Sequence, residues 1–246
     1  LKIPSQSFNI NISKKCDAYH KRCMEKYGVI WVWADGEEEV DKELFWYEQL
    51  NLIEDQNYYY ILYDCDINLG HELIVENLLD PAHLPFAHHG TLSKRTDAQT
   101  IKFKLLKENN IAGKVEYEKD TKMQHYFRFI GPCIVQLDII FEYNKVYRQV
   151  HYCVPLSERE TRLITFQFSN NKKWLFNNKI IRKMARSFSN RVIQQDIKIL
   201  QGQQKNLDKG AKVLNRSTSS DSLVILYRKW FSKNIRPDIW FKGFKN

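Results

Sequence analysis

The spacing of apolar residues changes its period along this chain, and the changes mark out its elements. Gly28-Val-Ile-Trp-Val-Trp33 is a β-type run, closed by Ala34-Asp35-Gly36 and an acidic stretch through Glu43. Asn57–Leu62, aromatic and β-branched, predicts another strand. Glu72–His89 turns helical, with Leu73, Ile74, Asn77, Leu78 and His83 at three- and four-residue spacings. From Thr100 to Ser169 the pattern becomes a succession of strands: Ile101–Leu106, Ile111–Tyr117, Gln124–Ile130, Ile134–Phe141, Val146–Val154 and Arg162–Phe168. Short turn-like segments such as Asn109-Asn110, Gly131-Pro132 and Asn144-Lys145 separate them. Parallel neighbours need long crossovers, so these connections predict an antiparallel meander.

Trp174 to about Asn206 then predicts one long helix with an apolar face from Leu175 through Phe188 and Ile193 to Leu200. A polar loop over Asp208–Asp221 and a last strand, Leu223–Tyr227, complete the reading. A block of strands followed by a long helix argues for an α+β class, a curved antiparallel sheet closed over by that helix. Residues 1–50 are expected to form a small separate unit and residues 51–246 the main domain.

Composition narrows the class. A hydrophobic content of 43% suits a packed globular chain and is too apolar for a disordered one. No run reaches the ~18–20 apolar residues that span a bilayer. The opening Leu1-Lys2-Ile3-Pro4 lacks a secretory apolar core and an initiator Met, so the chain is expected to be a fragment. Five scattered cysteines suggest free thiols in a reducing compartment rather than a disulfide framework. Cys16 and His20 have a metal-like C-x3-H spacing but no second pair beside them. The net charge of +9 is compatible with an acidic partner. Much of the excess, from Lys172 to Arg191, falls on the expected long helix and reads as a solvated face, and no nucleic-acid motif accompanies it.

The chemistry concentrates in Glu76-Asn-Leu-Leu-Asp-Pro-Ala-His-Leu-Pro-Phe-Ala-His-His-Gly90. Asn77, Asp80 and His83, three apart, would share one stripe of an unbroken helix, and polar groups on a buried stripe are costly unless partnered. A metal ion would supply that partner. His83 and His88 would stand about 140° apart on an ideal helix, so a bend at Pro85 is expected to bring them together. Asp196, set between apolar residues of the long helix, is the preferred third ligand, with Asp138 a weaker candidate. His71 and His89 fall away from this stripe. Two histidines and a carboxylate form the facial triad of non-haem Fe(II) oxygenases. They also suit zinc, although no HExxH glutamate is present to serve as a general base. A carrier of hydrophobic ligands, with the histidines as ordinary cavity residues, is the non-enzymatic reading.

Asn77-x2-Asp80-x2-His83-x4-His88, Gln195-Asp-Ile-Lys-Ile-Leu-Gln-Gly-Gln-Gln204 and Leu223-Val-Ile-Leu-Tyr-Arg-Lys-Trp230 resemble, in order, the Rieske-type non-haem iron oxygenases. The likeness is greatest to the chlorophyll-metabolism branch, the pheophorbide a oxygenase-like and chlorophyllide a oxygenase-like proteins. Tyr27-Gly-Val-Ile-Trp-Val-Trp33 looks like the last strand of a Rieske domain. The resemblance implies a helix-grip catalytic domain in which His83, His88 and Asp196 ligate mononuclear Fe(II). It implies that Asn77 lies near the iron and that Asp80 bridges to a cluster-ligand histidine of a neighbouring subunit, as in a homotrimer. It further implies O2, electrons from a ferredoxin or reductase through a [2Fe–2S] cluster, and a hydrophobic ring substrate such as a chlorophyll-type tetrapyrrole. A chloroplast (thylakoid or inner envelope) or cyanobacterial setting and a C-terminal membrane-anchoring segment belong to the same implication. The sequence departs from the pattern in one respect, since the C-x-H and C-x2-H pairs that hold such a cluster are absent. They are expected upstream, as the membrane anchor is expected downstream.

Overall fold

Alternation of apolar and polar residues from Ile101 onward forms an antiparallel ladder in the computed structural model. The structure describes residues 23–32, 45–108, 110–119, 122–171, 174, 176, 178–211 and 217–235. The chain divides into two compact units, Leu1–Trp46 and Tyr47–Asn246. In the first, β1 (Cys23–Lys26) and β2 (Val29–Val32) form a hairpin. Tyr27 and Gly28 turn it, at φ 60° and φ 75°, the left-handed region that glycine enters without steric cost. Cys16, His20 and Trp33 lie outside the described residues.

The second unit is built on β3 (Tyr59–Ile67), β4 (Ile101–Leu105), β5 (Ile111–Tyr117), β6 (Gln124–Ile130), β7 (Ile134–Ile140), β8 (Val146–Ser157) and β9 (Glu160–Ser169). Together they make a seven-stranded sheet in the order β3-β9-β8-β7-β6-β5-β4. The meander is as expected, and every pairing is antiparallel. β3 enters from before the meander and lies beside β9, so that Tyr63 faces Thr165. Because side chains alternate across a sheet, Phe127, Leu137, Leu163 and Thr165 share one face and line a cavity there. Phe166 and Phe168 point the other way, packing with Tyr60 and Tyr152.

The helices cover the cavity face. α1 (His71–Leu79) buries Leu73, Ile74, Val75 and Leu79. α2 (Leu84–Ala87) follows after a short 3-10 turn, Pro81–His83. α3 (Lys179–Asp208) is the long helix. It starts later than Trp174, at Asn178, whose side chain accepts from the Ile180 amide at 2.8 Å. On its apolar face Leu200 is buried, whereas Ile180 and Met184 near its start are 70% and 66% exposed.

Two expectations require correction. Leu223–Tyr227 is not a strand but part of α4 (Ser222–Asn234). A short apolar run has no period to distinguish a buried helix from a strand, and the capping box of Thr218 and Asp221 starts a helix here. α4 then docks on the sheet where side chains are missing: a Cβ at Gly113 would meet Leu223 at 3.3 Å, and one at Gly131 would meet Trp230 at 2.6 Å. A buried Glu76–Arg228 ion pair ties α4 to α1.

The second correction concerns Glu72–His89, which is not one helix bent at Pro85. The break lies at Asp80, with φ −106° and ψ 95°, because Pro81 forces an extended backbone on the residue before it. Pro85 instead sits in the first turn of α2, where its missing amide leaves no hydrogen bond unmade. No helix among the described residues is long and apolar enough to cross a membrane.

Candidate metal centre and cavity

The break at Asp80 aims His83. Once α1 has ended, the Asp80 carboxylate accepts from the Ala82 amide at 2.8 Å and fixes the 3-10 turn. The Asp80 backbone carbonyl meets His83 Nδ1. A carbonyl oxygen can only accept, so Nδ1 carries the proton and Nε2 presents a lone pair. His88, 1% exposed, is held in the same way. Its Nδ1 donates to Gln195 Oε1 at 3.0 Å, and Thr91 Oγ1 donates to the same oxygen at 2.9 Å. The two rings stand 5.3 Å apart at 67°.

Asp196 meets both free nitrogens from α3. Its Oδ1 lies 3.1 Å from His88 Nε2 and 3.5 Å from His83 Nε2. Ligands at about 2.1 Å from a shared metal stand about 3.0–3.4 Å apart in octahedral or tetrahedral sites. The spacing fits. Oδ1 is buried and makes no hydrogen bond of good geometry, so the centre lacks a partner that a cation could supply. His83, His88 and Asp196 each offer a ligand atom, all within 4.8 Å of one another, and form the one such group among the described residues.

The charges fit as well. Burial alone would lower the His83 pKa, but the carboxylates of Asp196 and Asp80 outweigh it and lift the ring to about 9. Burial would raise the Asp196 carboxyl, yet the two imidazoles hold it down to about 2. In the metal-free protein a proton on His83 therefore supplies the positive charge that a cation would bring.

Asp138 is elsewhere, on β7, between Arg128 and Arg148 and accepting from Gln136 at 2.8 Å. It is saturated there and is not near the triad. His71 packs against Phe231, and His89 accepts from the Arg95 amide, so neither joins the group. Asn77 and Asp80 line the same cavity as the triad. Sequence reasoning assigned no role to Gln195 or Thr91. Gln195 adjoins Asp196, but nothing in one amide side chain announces which histidine it will orient.

The cavity, about 140 Å³, lies between this wall and the sheet. Phe127, Leu137 and Leu163 supply its apolar lining on the sheet side. A polar row on β8 and β9 lies beside it: His151 Nδ1 with Thr165 Oγ1 at 2.9 Å, His151 Nε2 with Gln149 Oε1 at 3.3 Å, and Gln149 Nε2 with Tyr147 Oη at 2.8 Å.

An antiparallel sheet gripped by a long helix, with two histidines and a carboxylate facing one cavity, is the arrangement of a catalytic domain that could hold a mononuclear metal. Residues 67–236, more than half of the chain, match the vanillate O-demethylase oxygenase C-terminal domain, and the chain belongs to that Rieske oxygenase family. Among curated relatives, Protein TIC 55 of Arabidopsis thaliana is 28% identical over 95% of this chain and 45% of its own length. Chlorophyllide a oxygenase of Arabidopsis thaliana is 27% identical over 88% of the chain and 41% of its length. Pheophorbide a oxygenase of Oryza sativa subsp. japonica is 27% identical over 72% and 38%. All three are chloroplastic, and the chain spans less than half of each.

Solved structures share the fold. Pseudomonas putida CBB5 NdmA with caffeine aligns with a TM-score of 0.66 and 17% identity, over 91% of this chain and 64% of that one. Dicamba monooxygenase bound to dicamba aligns with a TM-score of 0.65 and 12% identity, over 87% and 68%. The helix-grip architecture expected from the strand block and long helix is the one these chains share.

Proposed function

We propose that His83, His88 and Asp196 hold a mononuclear Fe(II) and that this chain is the catalytic domain of an oxygenase acting on a hydrophobic ring, with a chlorophyll-type tetrapyrrole the preferred substrate class. The observation that carries the reading is the convergence of two Nε2 atoms on one buried Asp196 oxygen at 3.1 and 3.5 Å. When bound, Fe(II) in a two-histidine, one-carboxylate set supplies dioxygen activation and leaves coordination positions open. The protein's part is orientation. The Asp80 carbonyl and Gln195 fix both imidazoles in the ligating tautomer, as outer partners of metal-bound histidines do. The apolar lining around Phe127, Leu137 and Leu163 excludes water from the face of a flat substrate.

Asp80 has a second part in the proposal. Its carboxylate is 30% exposed beside His83, and we assign it the contact to a cluster-bearing unit of a neighbouring subunit in a homotrimer. Electrons would reach that [2Fe–2S] unit from a ferredoxin or reductase. Asn77, on the same cavity wall, would stand beside the metal. The chloroplast names of the relatives favour a plastid or cyanobacterial setting, and any membrane association would come from a further segment of the whole protein.

Anaerobic Fe(II) loading tests the assignment. About one Fe per chain is expected in wild type, with a nitric oxide adduct visible by electron paramagnetic resonance, and His83→Ala should lose both. Iron retained by the alanine variant would overturn the ligand set.

A further inference from the structure

The polar row on the cavity floor has a direction. Tyr147, Gln149 and His151 alternate along β8 and so share one face, and the register sets Thr165 of β9 opposite His151. Gln149 Oε1 can only accept, so His151 Nε2 is the donor in their contact. His151 Nδ1 must then accept, and the Thr165 hydroxyl donates to it. The other end of Gln149 donates from Nε2 to the oxygen of Tyr147. Each proton in the row points toward Tyr147, and such chains polarise their members in sequence. The Tyr147 oxygen is thus occupied as an acceptor, while among the described residues nothing accepts its own proton. Burial keeps that hydroxyl protonated, since it raises the Tyr147 pKa, with Gln149 opposing only in part.

Tyr147 also stands at a junction. A second, more open chamber of about 400 Å³ lies alongside the first, and Tyr147, Gln167, Phe188 and Ser189 line both. The outer chamber is apolar apart from that shared edge: Ile61 of β3 and Ile181, Met184 and Ala185 of α3 line it, beside Tyr59 stacked on Phe176 at 3.8 Å. Away from Tyr59 and the shared edge, this lining suits the hydrocarbon part of a ligand.

We infer that Tyr147 is a specificity-determining donor for a ligand that spans both chambers, an apolar molecule bearing a carbonyl or carboxylate oxygen where the chambers meet. Its reacting part would lie in the inner cavity beside His83, His88 and Asp196, and its apolar remainder in the outer chamber. The inference rests on the oxygenase reading for what becomes of the ligand, but not for how it binds. Chain direction makes the oxygen an acceptor, and the apolar outer lining makes the remainder hydrocarbon.

Equilibrium dialysis of metal-free protein against 9-fluorenone and fluorene, which share a tricyclic frame and differ in one carbonyl, tests this directly. Wild type is expected to favour fluorenone by about three- to tenfold, the worth of one hydrogen bond. Tyr147→Phe should bring the two probes within twofold while leaving fluorene affinity unchanged, a result that also reports an intact fold. Ala185→Trp, which fills the outer chamber from α3, should weaken both probes about tenfold. Equal binding of the probes by wild type, or a preference that survives Tyr147→Phe, overturns the donor assignment. Unaltered binding by Ala185→Trp overturns the outer seat. Anaerobic Fe(II) loading of a parallel sample of the same protein separates this inference from the one above: iron bound without a fluorenone preference sinks only the donor, and a preference without iron uptake sinks only the oxygenase.

Discussion

Two walls of one cavity treat histidine in opposite ways. On the helical wall His83 is lifted to about 9 by the carboxylates that overcome its burial. On the sheet floor His151 is pushed down to about 4 by burial, which the nearby Asp196 charge only partly opposes. Residue type is the same and both rings are enclosed. What differs is the partner: His83 faces anionic oxygen, whereas His151 lies between the Thr165 hydroxyl and the Gln149 amide. Neutral partners cannot repay the desolvation of an imidazolium, and carboxylates can. On the readings proposed above, one wall would hold a cation and the other a neutral ligand by hydrogen bonds.

The sharpest way to break the contrast is to remove the anion. Asp196→Ala should abolish stoichiometric iron binding, a loss of at least ~100-fold in affinity measured by competition with a chelator. It should also return His83 toward ordinary behaviour, so that its titration, followed by NMR of the metal-free protein, falls well below about 9. His151 should stay neutral through the same range. A His83 titration that did not move would mean that Asp80 alone sets it.

Acid should strike the floor next. A histidine whose folded pKa lies below its unfolded value contributes stability that is present above the unfolded value and is lost as pH falls. His151 and His71, each held at about 4 chiefly by burial, place that loss between about pH 6.5 and 4. Each could cost on the order of 3 kcal/mol across the window. Urea melts of metal-free protein at pH 6.5, 5 and 4 should show the decline, and His151→Gln should make it shallower. An unchanged slope in the variant would show that His151 is not one of the groups taking up protons.

A smaller effect is expected from Gln195→Leu, which leaves all three ligating residues in place but removes the acceptor that orients His88. Losses of such outer partners cost about 10–100-fold in metal affinity. Iron should weaken by that amount, and fluorenone binding by the metal-free protein should be unaffected, because the floor does not depend on Gln195.

How far the sequence revealed these walls depended on the range of the signal. β5 and β6 begin and end where the alternation and turn residues place them, since a strand's period is local. Asp196 was recognisable because a carboxylate among apolar helix neighbours demands a partner. The break before Pro81 was present in the sequence as a pre-proline residue but was hidden beneath a run of helical spacing. α4 was hidden by Leu223–Tyr227, where five apolar residues in a row carry no period, although Thr218 and Asp221 mark a helix start. The floor could not be read at all. Tyr147, Gln149 and His151 could be seen to share a face, but that Thr165 completes their row depends on the β8–β9 register, a long-range fact.

The finest test lies one bond further from the metal. Thr91 donates to Gln195 Oε1 at 2.9 Å, and the same hydroxyl reaches the His88 carbonyl at 2.9 Å. A hydroxyl has one proton and serves one of these oxygens at a time; turned to Gln195 Oε1, it holds the amide in the orientation that presents oxygen, not nitrogen, to His88 Nδ1. Thr91→Val keeps the shape and removes the hydroxyl. If the wall works through oriented acceptors, the amide gains freedom to rotate and His88 loses some preference for the ligating tautomer. The cost should be below that of Gln195→Leu, about two- to fivefold in iron affinity, in keeping with the loss of one neutral hydrogen bond. Measured beside Gln195→Leu/Thr91→Val, the second change should then add nothing, because Thr91 acts only through the amide. An additive double variant would show that Thr91 supports His88 through its backbone carbonyl instead, and the oriented-acceptor account of the wall would lose its outermost member.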